Sequence, residues 1–440
     1  MGLGLLGRGV GDAVFLAESG AKLTITDLKP RAALGPSLSK LRKFKNIRYV
    51  LDGHKLEDFS ARGGSAFGGR GPDMILKAAG VPLDSLYIKE ALKHKIPVEM
   101  SAVLFAKLSG LPMIGITGTR GKSTVTHLIA NILRLAGKKI ILGGNIRGVS
   151  NLQLLKKVKG ADLSVFELDS WQLQGFGGDQ VSPHISVFTN FLSDHMNYYK
   201  GDSKKYFNDK SFIYKFQNKN DILVLGPQIR NLAKGAKSKI INADLKNIPK
   251  SWHVRLEGGH NLENIACAIK VARFLKIKES VIKRAVENFK AISGRLELIK
   301  DIRGIKIYND NSSTTPDSTI AALRSLGNKN KRKIVLIIGG DKKFLDMSKL
   351  LIEIPKWCSK VVLFKEQGTD LIREKVFKFG KKGINVYEEE GLSNTVRRAF
   401  NIAQKGEIVL YSPAFSSFGK YFQNEFDRGD QFMKIVKKLK

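Results

Sequence analysis

Met113-Ile114-Gly115-Ile116-Thr117-Gly118-Thr119-Arg120-Gly121-Lys122-Ser123-Thr124 is the stretch on which the rest of the chain depends. It opens as an apolar strand, turns at two glycines and closes on a Lys-Ser-Thr helix start. Gly118 and Gly121 let successive amide N–H groups face inward, and the helix that follows adds the positive end of its dipole. Thr119 and Thr124 flank the turn, so the whole stretch reads as a phosphate cradle. Lys122 is placed to reach the β- and γ-phosphates, and the Ser123 hydroxyl to ligate Mg²⁺. Val125, Leu128, Ile129, Ile132 and Leu133 recur at helical spacing, and Gly137 stands where a helix C-terminus favours glycine. The pattern G-x-x-x-x-G-K-[ST] is not fully met, because Ile116 holds its first glycine position; the alternative is a plain strand-to-helix turn with an exposed lysine.

Working outward, strand and helix signals alternate through Ile140-Ile141-Leu142, Leu163 to Glu167 and Ile185 to Asn190, which predicts a parallel sheet. Glu167 ends its strand, where a carboxylate beside a phosphate loop holds Mg²⁺ directly or through water. His195 follows the next strand end and is a candidate ligand for a second metal; a surface or capping histidine is the alternative. Gly259-His260-Asn261-Leu262-Glu263-Asn264 begins a helix, with Asn261 as its N-cap candidate. The last third repeats the α/β rhythm. Asp310, Lys343 and Ser417 lie after strands there, at the ends where parallel sheets bind ligands.

At the start of the chain, Gly2-Leu3-Gly4-Leu5-Leu6-Gly7 matches G-x-G-x-x-G, and Asp27 follows Gly7 by 20 residues. This dinucleotide fingerprint by itself favours NAD, but the same turn and acid hold any nucleotide diphosphate and its sugar. Only Met1 precedes Gly2, whereas such a turn is normally fed by a buried strand of about five residues. The sequence therefore predicts a native chain that starts earlier, with a Val/Ile-rich run directly before Gly2. The glycine-rich residues 63–71 are expected to form a mobile insertion without chemistry. Met74 to Gly80 reads as a buried strand ending in a turn.

A chain of 440 residues is expected to hold about three domains, here 1–105, 106–293 and 294–440. Its 42% hydrophobic and 26% charged content is that of a soluble globular protein. No apolar run reaches the ~18 residues of a membrane span and no signal pattern opens the chain, so a cytoplasmic location is expected. Cys267 and Cys358 lack the spacing of a disulfide framework or zinc site. The net charge of +35 fits a nucleic acid or membrane surface, yet Lys and Arg are scattered along the sequence, as lysine-rich composition would leave them.

These stretches, with Gly143-Gly144-Asn145-Ile146, Glu167-Leu168-Asp169-Ser170-Trp171-Gln172-Leu173, Asp194-His195-Met196 and Ser412-Pro413-Ala414, resemble the Mur ligase family of ATP-dependent amide ligases. The resemblance covers nearly the whole chain. It implies an α/β fold of three domains: a Rossmann-like N-terminal domain, a central P-loop ATPase domain with a parallel sheet, and a C-terminal Rossmann-like domain. By that resemblance Leu5, Leu6, Asp27, Gly80 and Asn145 hold a UDP-sugar, which displaces NAD. Gly118, Thr119, Gly121, Lys122, Ser123 and Thr124 bind ATP, with Asn264, Arg295 and Asp310 completing the nucleotide site. Ser123, Glu167 and His195 bind Mg²⁺, joined by Lys210 of Phe207-Asn208-Asp209-Lys210-Ser211, which matches a lysine carried as a carbamate. Thr314, Lys343, Ser417 and Phe426 match positions around D-glutamate, the amino acid to be joined to UDP-N-acetylmuramoyl-L-alanine in peptidoglycan precursor synthesis. A monomer that binds no nucleic acid is expected. Arg120, Asp169 and Ser312 depart from the residues common in the family. The alternatives are a superfamily member that adds another amino acid or extends folate, and a P-loop nucleic-acid-binding protein.

Overall fold

The computed structural model describes residues 1–5, 7–61, 70–196, 198–328, 331–342, 345–417 and 419–440. Expectations for Leu6, for Lys343 and for most of the glycine-rich stretch fall on residues outside these. The chain divides into two compact units. The first is Met1–Leu192 with Asp202–Asn247 and Ala266–Ala285; the second is Ser193–Gly201 with Ile248–Ile265 and Val286–Lys440.

The first unit begins with two small parallel sheets, β1 (Leu23–Asp27) with β2 (Ile47–Leu51), and β3 (Ile75–Leu76) with β4 (Val98–Glu99). Met1 and Gly2 bridge them: the Met1 ammonium donates to Leu76 O at 2.8 Å, Ala78 N–H to Met1 O at 2.9 Å, and Gly2 N–H to Thr26 O at 2.8 Å. A cavity of about 780 Å³ is lined by facing residues of both sheets, among them Ile25, Ile75, Leu76 and Lys77.

The same unit holds an all-parallel sheet of β5 (Met113–Thr117), β6 (Ile140–Gly144), β7 (Leu163–Glu167), β8 (Ile185–Phe188), β9 (Ile222–Leu225) and β10 (Lys239–Asn242). Its order is β10-β9-β8-β5-β7-β6. All five residues of β5 are buried between β7 and β8, as a near-continuous apolar run with a partner on each side requires. Each fully buried aliphatic side chain here contributes about 1.5–3 kcal/mol. Helix Lys122–Leu135 buries Val125, Leu128, Ile129, Ile132 and Leu133, the residues whose spacing predicts it.

The second unit is built on β11 (Glu297–Ile302), β12 (Ile305–Asn309), β13 (Ile334–Ile338), β14 (Cys358–Phe364), β15 (Asn385–Glu389) and β16 (Ile408–Tyr411), in the order β11-β12-β16-β13-β14-β15. β11 is antiparallel to β12 and the other five strands are parallel. The carboxyl ends of β12, β13, β14 and β16 therefore share one edge, which carries Asp310, Asp341, Glu366 and Ser412. Both cysteines are buried and free. Among the described residues no helix is long and apolar enough to cross a membrane.

Candidate active site

In the first unit, β5 places the glycine turn at the carboxyl edge of its sheet. Gly118 has φ +143 and Gly121 φ +81, conformations that glycine adopts readily. The turn is fixed from the next strand: Thr119 N–H donates to Asn190 O at 3.0 Å, and Arg120 N–H to Asn190 Oδ1 at 2.9 Å. Thr189 Oγ1 donates to Arg120 O at 2.6 Å. Sequence reasoning read Thr189 and Asn190 only as a strand end. The signal available was two polar residues directly after Ile185-Ser186-Val187-Phe188, the strand next to the loop.

Lys122 lies along the turn, its Nζ donating to Gly118 O at 3.0 Å and Thr119 O at 3.1 Å. Lys210, in helix Ser203–Ser211, reaches the same point from 92 residues away: it is 1% exposed, and its Nζ donates to Gly118 O at 2.9 Å. Its ammonium also lies 4.9 Å from the Tyr206 ring centroid, over the face, and the Tyr206 hydroxyl is 3.3 Å from Thr119 Oγ1. Glu167 ends β7 beside Ile116 of β5. It is 4% exposed, and its carboxylate makes no hydrogen bond or ion pair among the described residues. A carboxylate without a protein partner at a strand end is a ready ligand for a cation. Together with the Ser123 hydroxyl it fits Mg²⁺, which takes one or two protein oxygens and completes its shell with phosphates and water.

Asp27, Gly80 and Asn145 lie in the first unit. Asp27 is buried and shapes the fingerprint turn, accepting Gly4 N–H at 3.0 Å and Lys29 N–H at 2.9 Å. Leu5 is exposed on that turn. The turn at Gly80 is spanned by Lys77, whose buried Nζ donates to Val81 O at 2.9 Å. Burial pushes the Lys77 pKa down to about 8, against the pull of Asp169 and Asp209. Sequence reasoning gave Lys77 no role. Asn145 N–H donates to Glu167 O at 2.7 Å, and its Oδ1 accepts Arg8 Nη1, which ties the end of β6 to the fingerprint helix Arg8–Glu18.

The remaining expected site residues lie in the second unit. His195 takes a left-handed conformation at φ 56, with Nε2 3.7 Å from Asp194 Oδ2. Asn264 is buried in helix Gly259–Phe274, its amide donating to Asn261 Oδ1 at 3.3 Å. That helix starts at Gly259, so Asn261 is inside the first turn rather than capping it; its amide donates to Glu257 O at 2.7 Å. Asp310 is fully engaged, accepting Leu296 N–H at 3.0 Å, Ser313 Oγ–H at 2.5 Å and Ser412 Oγ–H at 2.8 Å. Burial raises its pKa to about 6 despite these bonds and the nearby Arg295. Thr314 is half-buried after β12, and Ser417 is 2% exposed after β16. Phe426 lies in the first turn of helix Glu425–Lys437, which Asn424 caps.

A phosphate-loop α/β fold with a buried lysine and an unpartnered carboxylate at the loop defines a nucleotide-dependent enzyme of the P-loop class. Residues 116–250 match the Mur ligase middle domain and residues 294–415 the Mur ligase glutamate ligase domain. The chain belongs to the Mur ligase family. It is 35% identical to UDP-N-acetylmuramoylalanine–D-glutamate ligase of Borreliella afzelii (strain PKo), with 100% of this chain and 97% of that protein covered. It is 32% identical to the enzyme of that name from Roseiflexus sp. (strain RS-1), with 99% and 97% covered. The fold resembles UDP-N-acetylmuramate–alanine ligase of Thermotoga maritima, with a TM-score of 0.61 at 16% identity over 99% of this chain and 98% of that one.

Proposed function

We propose that this chain joins the amino group of D-glutamate to the carboxylate of UDP-N-acetylmuramoyl-L-alanine at the expense of ATP, in peptidoglycan precursor synthesis in the cytoplasm. The observation that carries the reading is the convergence of Lys122 and the distant, buried Lys210 on the Gly118 carbonyl beside the unpartnered Glu167. Full-length relatives that bear this activity in their names support it.

In this reading residues 1–105 take the UDP-sugar through Leu5, Leu6, Asp27 and Gly80, joined by Asn145 from residues 106–293. Residues 106–293 take ATP on Gly118, Thr119, Gly121, Lys122, Ser123 and Thr124, with Asn264. Residues 294–440 take D-glutamate through Thr314, Lys343, Ser417 and Phe426, and contribute Arg295 and Asp310 to the nucleotide. The substrate carboxylate attacks the γ-phosphorus and ADP leaves. The D-glutamate amine then attacks the acyl phosphate, loses a proton, and inorganic phosphate departs. Positioning and charge neutralisation supply most of the acceleration, with Lys122 meeting the phosphoryl oxygens on the turn that Asn190 holds in place. Mg²⁺, when bound, neutralises charge on the phosphates; Glu167 and Ser123 would hold it, and His195 with a carbamylated Lys210 would hold a second ion. An ordinary lysine, with a pKa near ~10.4, is no metal ligand, whereas a carbamate is an anion.

Phosphate release measured with UDP-N-acetylmuramoyl-L-alanine against a panel of amino acids tests the reading. Release that needs both this nucleotide and D-glutamate is expected; equal release with any amino acid, or none with D-glutamate, removes it.

A further inference from the structure

Three loops meet at the carboxyl edge of the second unit's sheet, after the neighbouring strands β16, β13 and β14. The turn after β13 is bonded to both others. Asp341 N–H donates to Ser416 O at 3.1 Å, Gly339 N–H to Pro413 O at 3.1 Å, and Gly368 N–H to Gly340 O at 3.0 Å. The loop after β16 carries Ser417. Its near side is fixed by the buried Arg428, whose Nη1 donates to Phe415 O and Ser416 O, each at 3.2 Å. Its far side is met by Glu366, the second residue after β14.

Glu366 is 8% exposed. Its Oε1 accepts the Lys420 N–H at 3.0 Å, and its Oε2 is buried with no hydrogen-bond partner among the described residues. Burial raises its pKa; Asp341 adds to the rise, while the Lys420 and Tyr421 backbones and Arg428 oppose it. A carboxylate in such a place is expensive unless its geometry is needed. Helix capping does not account for it, because Glu366 precedes the helix Gln367–Asp370 without a side-chain cap bond. The fit around it is tight: a Cβ added to Gly419 would lie 2.4 Å from Glu366 Oε1 and 3.1 Å from Asp341 Cβ.

We propose that Glu366 is a positioning residue of the amino-acid pocket: through the Lys420 N–H its carboxylate clamps the loop that carries Ser417 to the loop after β14, without touching the substrate. The inference rests on the assignment of Ser417 to the incoming D-glutamate. Gly419 is part of the device, because any side chain there would displace the carboxylate from the amide it holds.

The test is Glu366→Ala, Glu366→Gln, Gly419→Ala and the Glu366→Ala/Gly419→Ala double variant in the full chain, with Ser417→Ala as reference. Glu366→Ala is expected to raise KM for D-glutamate about tenfold, the scale of one lost charge-assisted hydrogen bond, with KM for ATP and for the UDP-sugar within about twofold. Amide exchange at Lys420 should quicken in parallel. Glu366→Gln keeps a carbonyl acceptor and should restore most of the affinity. Gly419→Ala should raise the same KM in the parent but add little to Glu366→Ala, since the clash is then gone. Unchanged exchange at Lys420, additive effects, or a fall in kcat without the KM change would overturn the clamp. If Ser417→Ala leaves KM unchanged while exchange at Lys420 quickens in Glu366→Ala, the amino-acid assignment has failed and not the contact.

Discussion

Gly118→Ala strikes the turn where the two lysines meet. Gly118 sits at φ +143, where an L side chain is strained by about 1–3 kcal/mol. A Cβ built there would lie 1.9 Å from Thr189 Oγ1, with Asn190 N at 3.1 Å and Asn190 O at 3.2 Å. Thr189 cannot simply yield, because its hydroxyl donates to Arg120 O at 2.6 Å and Asn190 holds Thr119 and Arg120. Restoring ordinary van der Waals contact requires a displacement of about 1.5 Å, and a misplacement of ~1 Å costs on the order of 10²-fold in rate. The moving carbonyl is also the acceptor of both Lys122 and Lys210. We therefore expect kcat to fall at least about 100-fold while the thermal midpoint drops only a few degrees. Phosphate release at saturating substrates, paired with a thermal melt, reads both quantities. Adding Thr189→Ala removes the nearest atom and should return roughly tenfold of the loss, a coupling expected of touching residues. Gly118→Ala within about threefold of the parent kcat, or a double variant no better than the single, would refute the argument.

Lys122→Ala should abolish phosphate release in a protein that melts normally, since the side chain lies along the turn outside the apolar core; normal release would end the ligase reading. Lys210→Ala should be inactive and partly restored by added formate or acetate, and failure of both, with no carbamate on the native lysine, would dismiss the modification. Burial holds Asp310 protonated to about pH 6 in place of 3.8. Between those values the folded state keeps a proton that the unfolded chain has released, so this group's contribution falls as pH rises through the window, by about 3 kcal/mol, and is level above it. Asp310→Asn, neutral throughout, should flatten that part of the melting profile; an unchanged slope would show that another group sets it. Ser417→Ala should raise KM for D-glutamate with KM for ATP unchanged, and the reverse pattern would move Ser417 out of the amino-acid pocket.

The turn at Gly118 was legible because everything that makes it is local: an apolar strand, two glycines and a helix of regular spacing lie within about 25 residues. Glu167 was legible for the same reason, as the first carboxylate after an apolar run. Lys210 was not, except by resemblance, since its place on Gly118 O follows from how helix Ser203–Ser211 packs and nothing in its neighbours announces a buried amine. Thr189, Asn190 and Glu366 share that property: each acts on a segment far away in sequence. Asp27 was visible as a fingerprint acid, but its bonds to Gly4 and Lys29 show it building the turn as well. Asp169 is the opposite case, a residue that stood out in sequence and has a local cause. In the sequence it is a departure from the residues common in the family. It is the N-cap of helix Ser170–Gly178, its carboxylate accepting Gln172 N–H at 2.7 Å while the Gln172 side chain returns to the Asp169 N–H at 3.4 Å. Such a box contributes about 1 kcal/mol, and a negative charge at a helix N-terminus adds to it. The carboxylate at 169 is thus accounted for by the start of its own helix.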